Sequence, residues 1–264
     1  MVVVIPALSA QTSGPRPGAP TPSAPAVDVR SLVATARQRM EATDFSTTGH
    51  LVWVQPSGAR ISYPITIKAH WFPGVLRVKV EMGGAKSGAP DAAAATHVLV
   101  ELRPDGKSAI WIAHPGDKAP LPLPFNKWSE GPLGPTFGYE DFLEEQIFWP
   151  NQTLVEKAKF GARDCDVIRS TPGAGDRTHY SEVKAWIDPT IAFPVYVEKT
   201  VKETGAVKEF TYYGLMHEGG LWAAHQIEMK TRGQDGSTLL IFDRGSPKAN
   251  LTLKDFSPAQ LTRF

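Results

Sequence analysis

The 264-residue sequence holds a single cysteine, Cys165, so neither an intrachain disulfide nor a multi-thiolate metal site can form. Free cysteine is among the most buried residue types, and Cys165 is expected in the core rather than in a nucleophilic role. A dominant charge is missing too. The 28 Lys and Arg stand against 27 Asp and Glu for a net charge of +1, and the two signs are interspersed. Such a chain has no field to attract nucleic acid or an anionic surface, and nucleic acid is not an expected partner. No stretch approaches the roughly 18 apolar residues of a membrane span.

The signatures of catalysis are equally scarce. There is no Gly-x-Ser-x-Gly, no phosphate-cradling glycine loop and no dinucleotide fingerprint. His50, His70, His97, His114, His179, His217 and His225 are scattered. His217 and His225 fall on neighbouring predicted strands, where they could approach, but lack a third ligand. Asp164 and Asp166 flank Cys165 and share a strand face, a weak carboxylate signal. Ser181-Glu182-Val183-Lys184 matches Ser-x-x-Lys, yet the alternation around it predicts a strand, which sends Ser181 and Lys184 to opposite faces. The expectation is a protein without enzymatic activity, cofactor or metal.

What is present begins with a short apolar run, Val2 to Leu8, followed by Ser9-Ala10-Gln11. It has the form of the end of a secretory signal peptide, without the basic region that normally precedes one. Residues 1–10 are therefore expected to be removed on export. Residues 11–26 are rich in Pro, Gly, Ser, Thr and Ala and read as a flexible linker. A folded domain is expected over 27–264. Val29, Leu32, Val33, Ala36 and Met40 recur at helical spacing behind Asp28, which predicts an amphipathic helix over 28–42.

From Thr47 the period changes to two. In 60–70, Ile61, Tyr63, Ile65 and Ile67 alternate with polar residues. In 75–82, Leu76, Val78, Val80 and Met82 do the same. Similar runs span 48–55, 96–103, 108–113, 153–160, 164–170, 180–188, 193–203, 206–217, 221–232 and 237–244. Turn signals such as Asp105-Gly106, Thr204-Gly205 and Gly219-Gly220 separate them, which implies an antiparallel meander. Two segments break the rhythm. Residues 83–95 are small and read as a mobile loop. Residues 114–137 are proline-rich yet carry Leu121, Leu123, Phe125, Trp128, Leu133 and Phe137. They lead into 139–149, where Tyr139, Phe142, Leu143 and Ile147 line one predicted helical face, with Glu140 and Asp141 at its positive end. This unit is either core filler or a lid over an apolar pocket, and the seven tryptophans add stiff apolar wall.

The order of short motifs resembles a known family. Tyr139-Glu140-Asp141-Phe142 is followed by Gly161-x-x-x-Cys165-x-Val167-Ile168. Then come Tyr180-x-x-Val183-x-x-Trp186-Ile187-Asp188, Phe193-Pro194-Val195-x-x-Glu198 and Gly205-x-x-Lys208. Last are Leu221-Trp222, Ile227-x-Met229, Thr238-Leu239 and Asn250-x-x-x-x-Asp255-Phe256. Over 27–264 this looks like the LolA-like outer-membrane lipoprotein-sorting proteins. It departs after Trp222, where Ala223-Ala224-His225 replaces an expected proline, and no residue matches the lid arginine of the best-known carriers.

The resemblance implies a mostly β fold, an incomplete, half-open antiparallel β-barrel with helices plugging its concave face. It further implies a periplasmic carrier or chaperone for the acyl chains of lipoproteins or another lipid, with an inner-membrane transporter or permease as a further partner. The apolar lid and cavity would then be Leu121, Leu123, Phe125, Trp128, Phe142, Leu143 and Ile147. The alternative expectation is a non-catalytic envelope module that uses the same fold for protein–protein contact.

Overall fold

Two-residue alternation becomes strand throughout. The computed structural model describes residues 28–83, 95–131, 136–218, 221–243, 245–246 and 248–264. The expected signal remnant and linker, most of the 83–95 loop, Leu133 and the Gly219-Gly220 turn lie outside the described residues. Five strands follow the first helix: β1 (Asp44–Val54), β2 (Arg60–Phe72), β3 (Val75–Met82), β4 (Thr96–Leu102) and β5 (Ala109–Ala113). A two-residue β6 (Leu121–Pro122) sits inside the proline-rich segment. The second half gives β7 (Asn151–Phe160), β8 (Arg163–Thr171), β9 (Tyr180–Asp188), β10 (Phe193–Val201), β11 (Val207–Glu218), β12 (Leu221–Thr231) and β13 (Ser237–Phe242).

Together they form one antiparallel sheet in the order β6-β5-β4-β3-β2-β1-β13-β12-β11-β10-β9-β8-β7. One meander runs outward from β1 to β6, and a second returns from β7 to β13. The two meet where β13 pairs with β1, placing Gly49 opposite Phe242. A Cβ at Gly49 would lie 2.0 Å from the Ile241 carbonyl oxygen, so the junction demands glycine. The sheet does not close, and β6 and β7 are its edges. The fold is the expected half-open barrel.

The helix α1 (Val29–Glu41) fills the concave face. Asp28 caps it by accepting a hydrogen bond from the Arg30 amide at 3.1 Å, and Leu32, Val33, Ala36 and Met40 form its buried stripe. The sheet supplies the rest of that core through Tyr63, Ile65, Ile67, Val98 and Val100 among others. On the opposite face of β4, Leu99 joins Ala113, Phe256 and Leu261 in a separate cluster. The chain's last residues, including α2 (Pro258–Leu261), thus cover the outer face there. His97 fixes them, its Nδ1 lying 2.8 Å from the Leu261 carbonyl oxygen and its ring stacked on Phe264.

One element differs from its expectation. Residues 139–149 are not one helix but two 3₁₀ turns, Tyr139–Phe142 and Glu145–Ile147, separated by Leu143 in extended conformation (φ −100°, ψ 130°). The amphipathic spacing was real, but the acidic residues at its start are not surface partners of a helix dipole. Asp141 and Glu140 are buried, and satisfying their carboxylates sets the local backbone. The Asp141 carboxylate accepts from the Gly138 amide at 2.8 Å, which caps the start of the first turn, and from Lys208 of the sheet beneath.

Candidate functional site

Residues 121–131 and 136–149 lie across the concave face as a plug. Its underside is apolar: Trp128, Phe137, Leu143 and Trp149 are buried within the main core, and Leu123, Phe125, Phe142, Ile147 and Phe148 pack partly buried against it. Aromatic contacts order the plug internally. Phe142 meets Phe137 edge-on at 4.7 Å, and Phe125 meets Trp128 edge-on at 5.3 Å while stacking on His179 at 4.0 Å. The Trp128 indole N–H donates to the Leu123 carbonyl at 3.0 Å, so the buried ring leaves no polar atom unpaired. Six of the seven apolar residues expected in the lid therefore face the core or pack on it. Leu121 does not: it sits on the edge strand β6 opposite Ile112 and is 60% exposed.

Polar contacts tie the plug down at several places, Thr136 meeting Thr238 of β13 at 2.5 Å among them. Arg37 of α1 donates to the Ile147 carbonyl at 2.8 Å, and Arg39 reaches Glu144 at 3.5 Å. Another attachment is deeper. Asp141 has a side chain with no exposed surface, and it receives Lys208 at 2.8 Å, Lys199 at 3.4 Å and the Tyr180 hydroxyl at 2.5 Å. Burial alone would raise the Asp141 pKa, but the two ammonium groups and the hydrogen bonds from Lys208 and Tyr180 outweigh it and hold the carboxyl at about 2. Tyr180 responds in the opposite sense, pushed well above its ordinary value by burial and by the Asp141 charge.

Lys199 and Lys208 come from adjacent strands and stand directly opposite each other in the β10–β11 register. Like charges so placed repel, and here both side chains are buried, 6% and 9% exposed. Aromatic faces help to hold them: the Lys199 Nζ lies 4.7 Å from the Phe210 ring centroid and 5.1 Å from that of Tyr180. Next door, Glu140 accepts from the His179 amide at 2.9 Å and meets the His179 ring at 2.7 Å. Glu145 completes the cluster. Burial drives its pKa up to about 7 against the opposing hydrogen bond from Ser108, with Glu140 and Asp176 adding to the rise and Lys199 opposing it. Between the plug and the sheet remains a cavity of about 10 Å³ lined by Glu140, Leu143, Glu145, Trp149, Tyr180 and Lys199, among others. That is room for about one water molecule.

The remaining expected sites resolve simply. His217 stands opposite Trp222, not His225. Asp164 is exposed while Asp166 is buried, and the hydroxyl of Ser181 bonds the Thr200 carbonyl within the sheet. Among the described residues no group of three or more His, Cys, Asp or Glu could hold a metal, and no helix is long and apolar enough to cross a membrane. The sequence reading missed Lys199, Lys208, Tyr180 and Glu145 as a cluster. Strand phase carried the signal. Lys199 falls in step with the inward Val195 and Val197, and Lys208 in step with Phe210.

A half-open antiparallel barrel with a plugged concave face defines the class, and the fold is LolA-like. It superposes on a domain from Vibrio parahaemolyticus described as an outer-membrane lipoprotein-sorting protein, with TM-score 0.72 and 20% identity over 88% of this chain and 97% of that one. A DUF1329 family protein from Desulfovibrio piger gives TM-score 0.72 at 14% identity, covering 88% and 98%. A LolA superfamily protein from Nitrosomonas europaea gives 0.64 at 16%, covering 89% and 100%. At these identities the likeness is one of fold. Comparison with curated proteins gives no match. A family model described as an uncharacterized protein matches residues 87–263, and the chain belongs to that family.

Proposed function

We propose that this protein is a periplasmic carrier that takes up acyl chains of lipoproteins, or another lipid, on its concave face. It acts without catalysis, in exchange with a membrane-bound transporter or permease. One observation carries the reading. The apolar concave face is covered by a separate segment, apolar below and broken into short turns, that is fastened to α1 and to the sheet largely by hydrogen bonds and ion pairs. A ligand can replace such a cover without unfolding the sheet, because the plug's strand contribution is the two-residue β6. The cavity beneath Leu143 and Trp149 has room for about one water, so a chain taken up there requires the plug to lift, and apparent affinity follows the population of the open form. The fold shared with the lipoprotein-sorting domain from Vibrio parahaemolyticus supports the same reading.

Native mass spectrometry of protein gently purified from an exporting host tests it. Adducts of lipid mass that disappear on delipidation are expected. Adduct-free protein that also fails to take up added lipid would overturn the reading and favour a module for protein contact.

A further inference from the structure

The buried lysine pair is an expensive arrangement for merely closing a lid. Two ammonium groups directly opposite on the inward face of β10 and β11 share one carboxylate, Asp141. Replacing a buried ion-pair cluster by apolar residues of similar volume is often neutral or stabilising, so docking alone gives little reason for it. Neighbouring carboxylates do not balance the second charge in full. Glu140 is engaged by Thr178 and His179, and Glu145, beside Lys199, is only partly ionised at neutral pH. The outer face of the same two strands shows the mirror solution, with opposed Glu198 and Glu209 both bonded by Arg232.

The carboxylate of Asp141 also occupies its position as a ligand would. One oxygen faces Lys199 and the Tyr180 hydroxyl, and the other faces Lys208 and the Gly138 amide. When the plug lifts, Asp141 and Gly138 leave with it. The sheet then keeps two ammonium groups and a phenol hydroxyl, set among Val183, Val197 and Phe210. A two-oxygen anion restores the lost contacts, and an attached chain would lie on the uncovered apolar surface.

We propose that Lys199, Lys208 and Tyr180 form a head-group clamp for an anionic amphiphile, a carboxylate or phosphate carrying an acyl chain, and that Asp141 is its built-in placeholder. This rests on the carrier reading and adds the chemistry of the ligand's polar end. Asp141 and the head group compete for one pair of cations, so binding and plug closure are mutually exclusive.

The test displaces an uncharged fluorescent apolar probe from the full-length protein at pH 8. The competitors are palmitate, palmitoyl-lysophosphatidic acid and neutral monopalmitoylglycerol, each below its micelle concentration. An anionic head is expected to gain about tenfold or more over the neutral one, the scale of one hydrogen bond to a charged group. The tighter of the two anions identifies carboxylate or phosphate as the preferred head. Lys208→Met and Lys199→Met should abolish that preference, so that the three lipids bind alike, whereas Lys208→Arg should retain it. Asp141→Asn should raise affinity for the anions more than for the neutral lipid. If the methionine variants do not fold, the wild-type preference and the arginine variant decide. Equal binding of all three lipids by the wild type would overturn the clamp and leave the carrier standing. Binding of none would overturn the carrier reading itself.

Discussion

Replacing Asp141 by Asn removes one negative charge while nearly preserving shape, and it leaves Lys199 and Lys208 opposed and buried with no ionised partner between them. Removing one member of a buried pair typically costs about 3–5 kcal/mol, because the remaining charge stays desolvated. The carboxyl's depressed pKa gives an independent scale. A value of about 2 against an ordinary 3.8 corresponds to roughly 2 kcal/mol of stabilisation by the charged form. That contribution is fully present above pH 3.8 and is lost as the pH falls through 2. At neutral pH the variant should therefore lose about 2–5 kcal/mol, a fall in melting temperature of roughly 4–20 °C for a chain of this size. Thermal denaturation followed by circular dichroism measures it. Hydrogen exchange should show the excess opening concentrated in 139–149 and the facing β10 and β11, not in β2 and β3. Adding Lys208→Met should recover part of the loss, since the surplus cation goes with it. A shift below about 2 °C, or a second substitution that only adds damage, would refute the view that the two lysines depend on this carboxylate.

Glu145 should make stability fall with rising pH. Its folded pKa of about 7 lies above the ordinary 4.5, so its contribution is full below pH 4.5 and is lost as the pH rises through 7. The difference approaches about 3 kcal/mol at pH 8, and Glu145→Gln should flatten the melting temperature between pH 5 and 8 relative to wild type. Leu143→Ala, at a buried core position, should cost about 2–5 kcal/mol, while Leu121→Ala, exposed on the edge, should stay within about 0.5 kcal/mol in urea denaturation. Cys165 is buried, and burial raises its thiol pKa, so a thiol reagent should label it slowly in the native protein and quickly in denaturant.

Most of the sheet was legible because alternation is a local signal that burial on one face enforces. The 60–70 and 75–82 runs became β2 and β3 with nearly the expected ends, and Asp28 with its apolar stripe became α1. The strand order was not legible in the runs themselves, since the β1–β13 junction joins residues far apart in sequence and depends on the close approach at Gly49. The plug was recognised by its apolar residues, but its conformation was misjudged. Helical spacing at Tyr139, Phe142, Leu143 and Ile147 says nothing of a carboxylate that turns inward, and tertiary charge pairing overrode the local pattern. The lysine pair was the hardest to see. Strand phase turns each lysine inward, but only the register of β10 against β11 sets Lys199 opposite Lys208.

The central claim, that the plug yields its place to an acyl chain, is tested most directly at Phe142, which packs edge-on against Phe137 and touches the core without belonging to the sheet. Phe142→Ala weakens the closed form and removes nothing from the strands beneath. Titrated with a fluorescent fatty-acyl probe, this variant should melt at a lower temperature than the wild type and yet bind the probe with equal or higher affinity. Loss of stability with no probe binding by either protein would contradict the account and leave the segment as core filler.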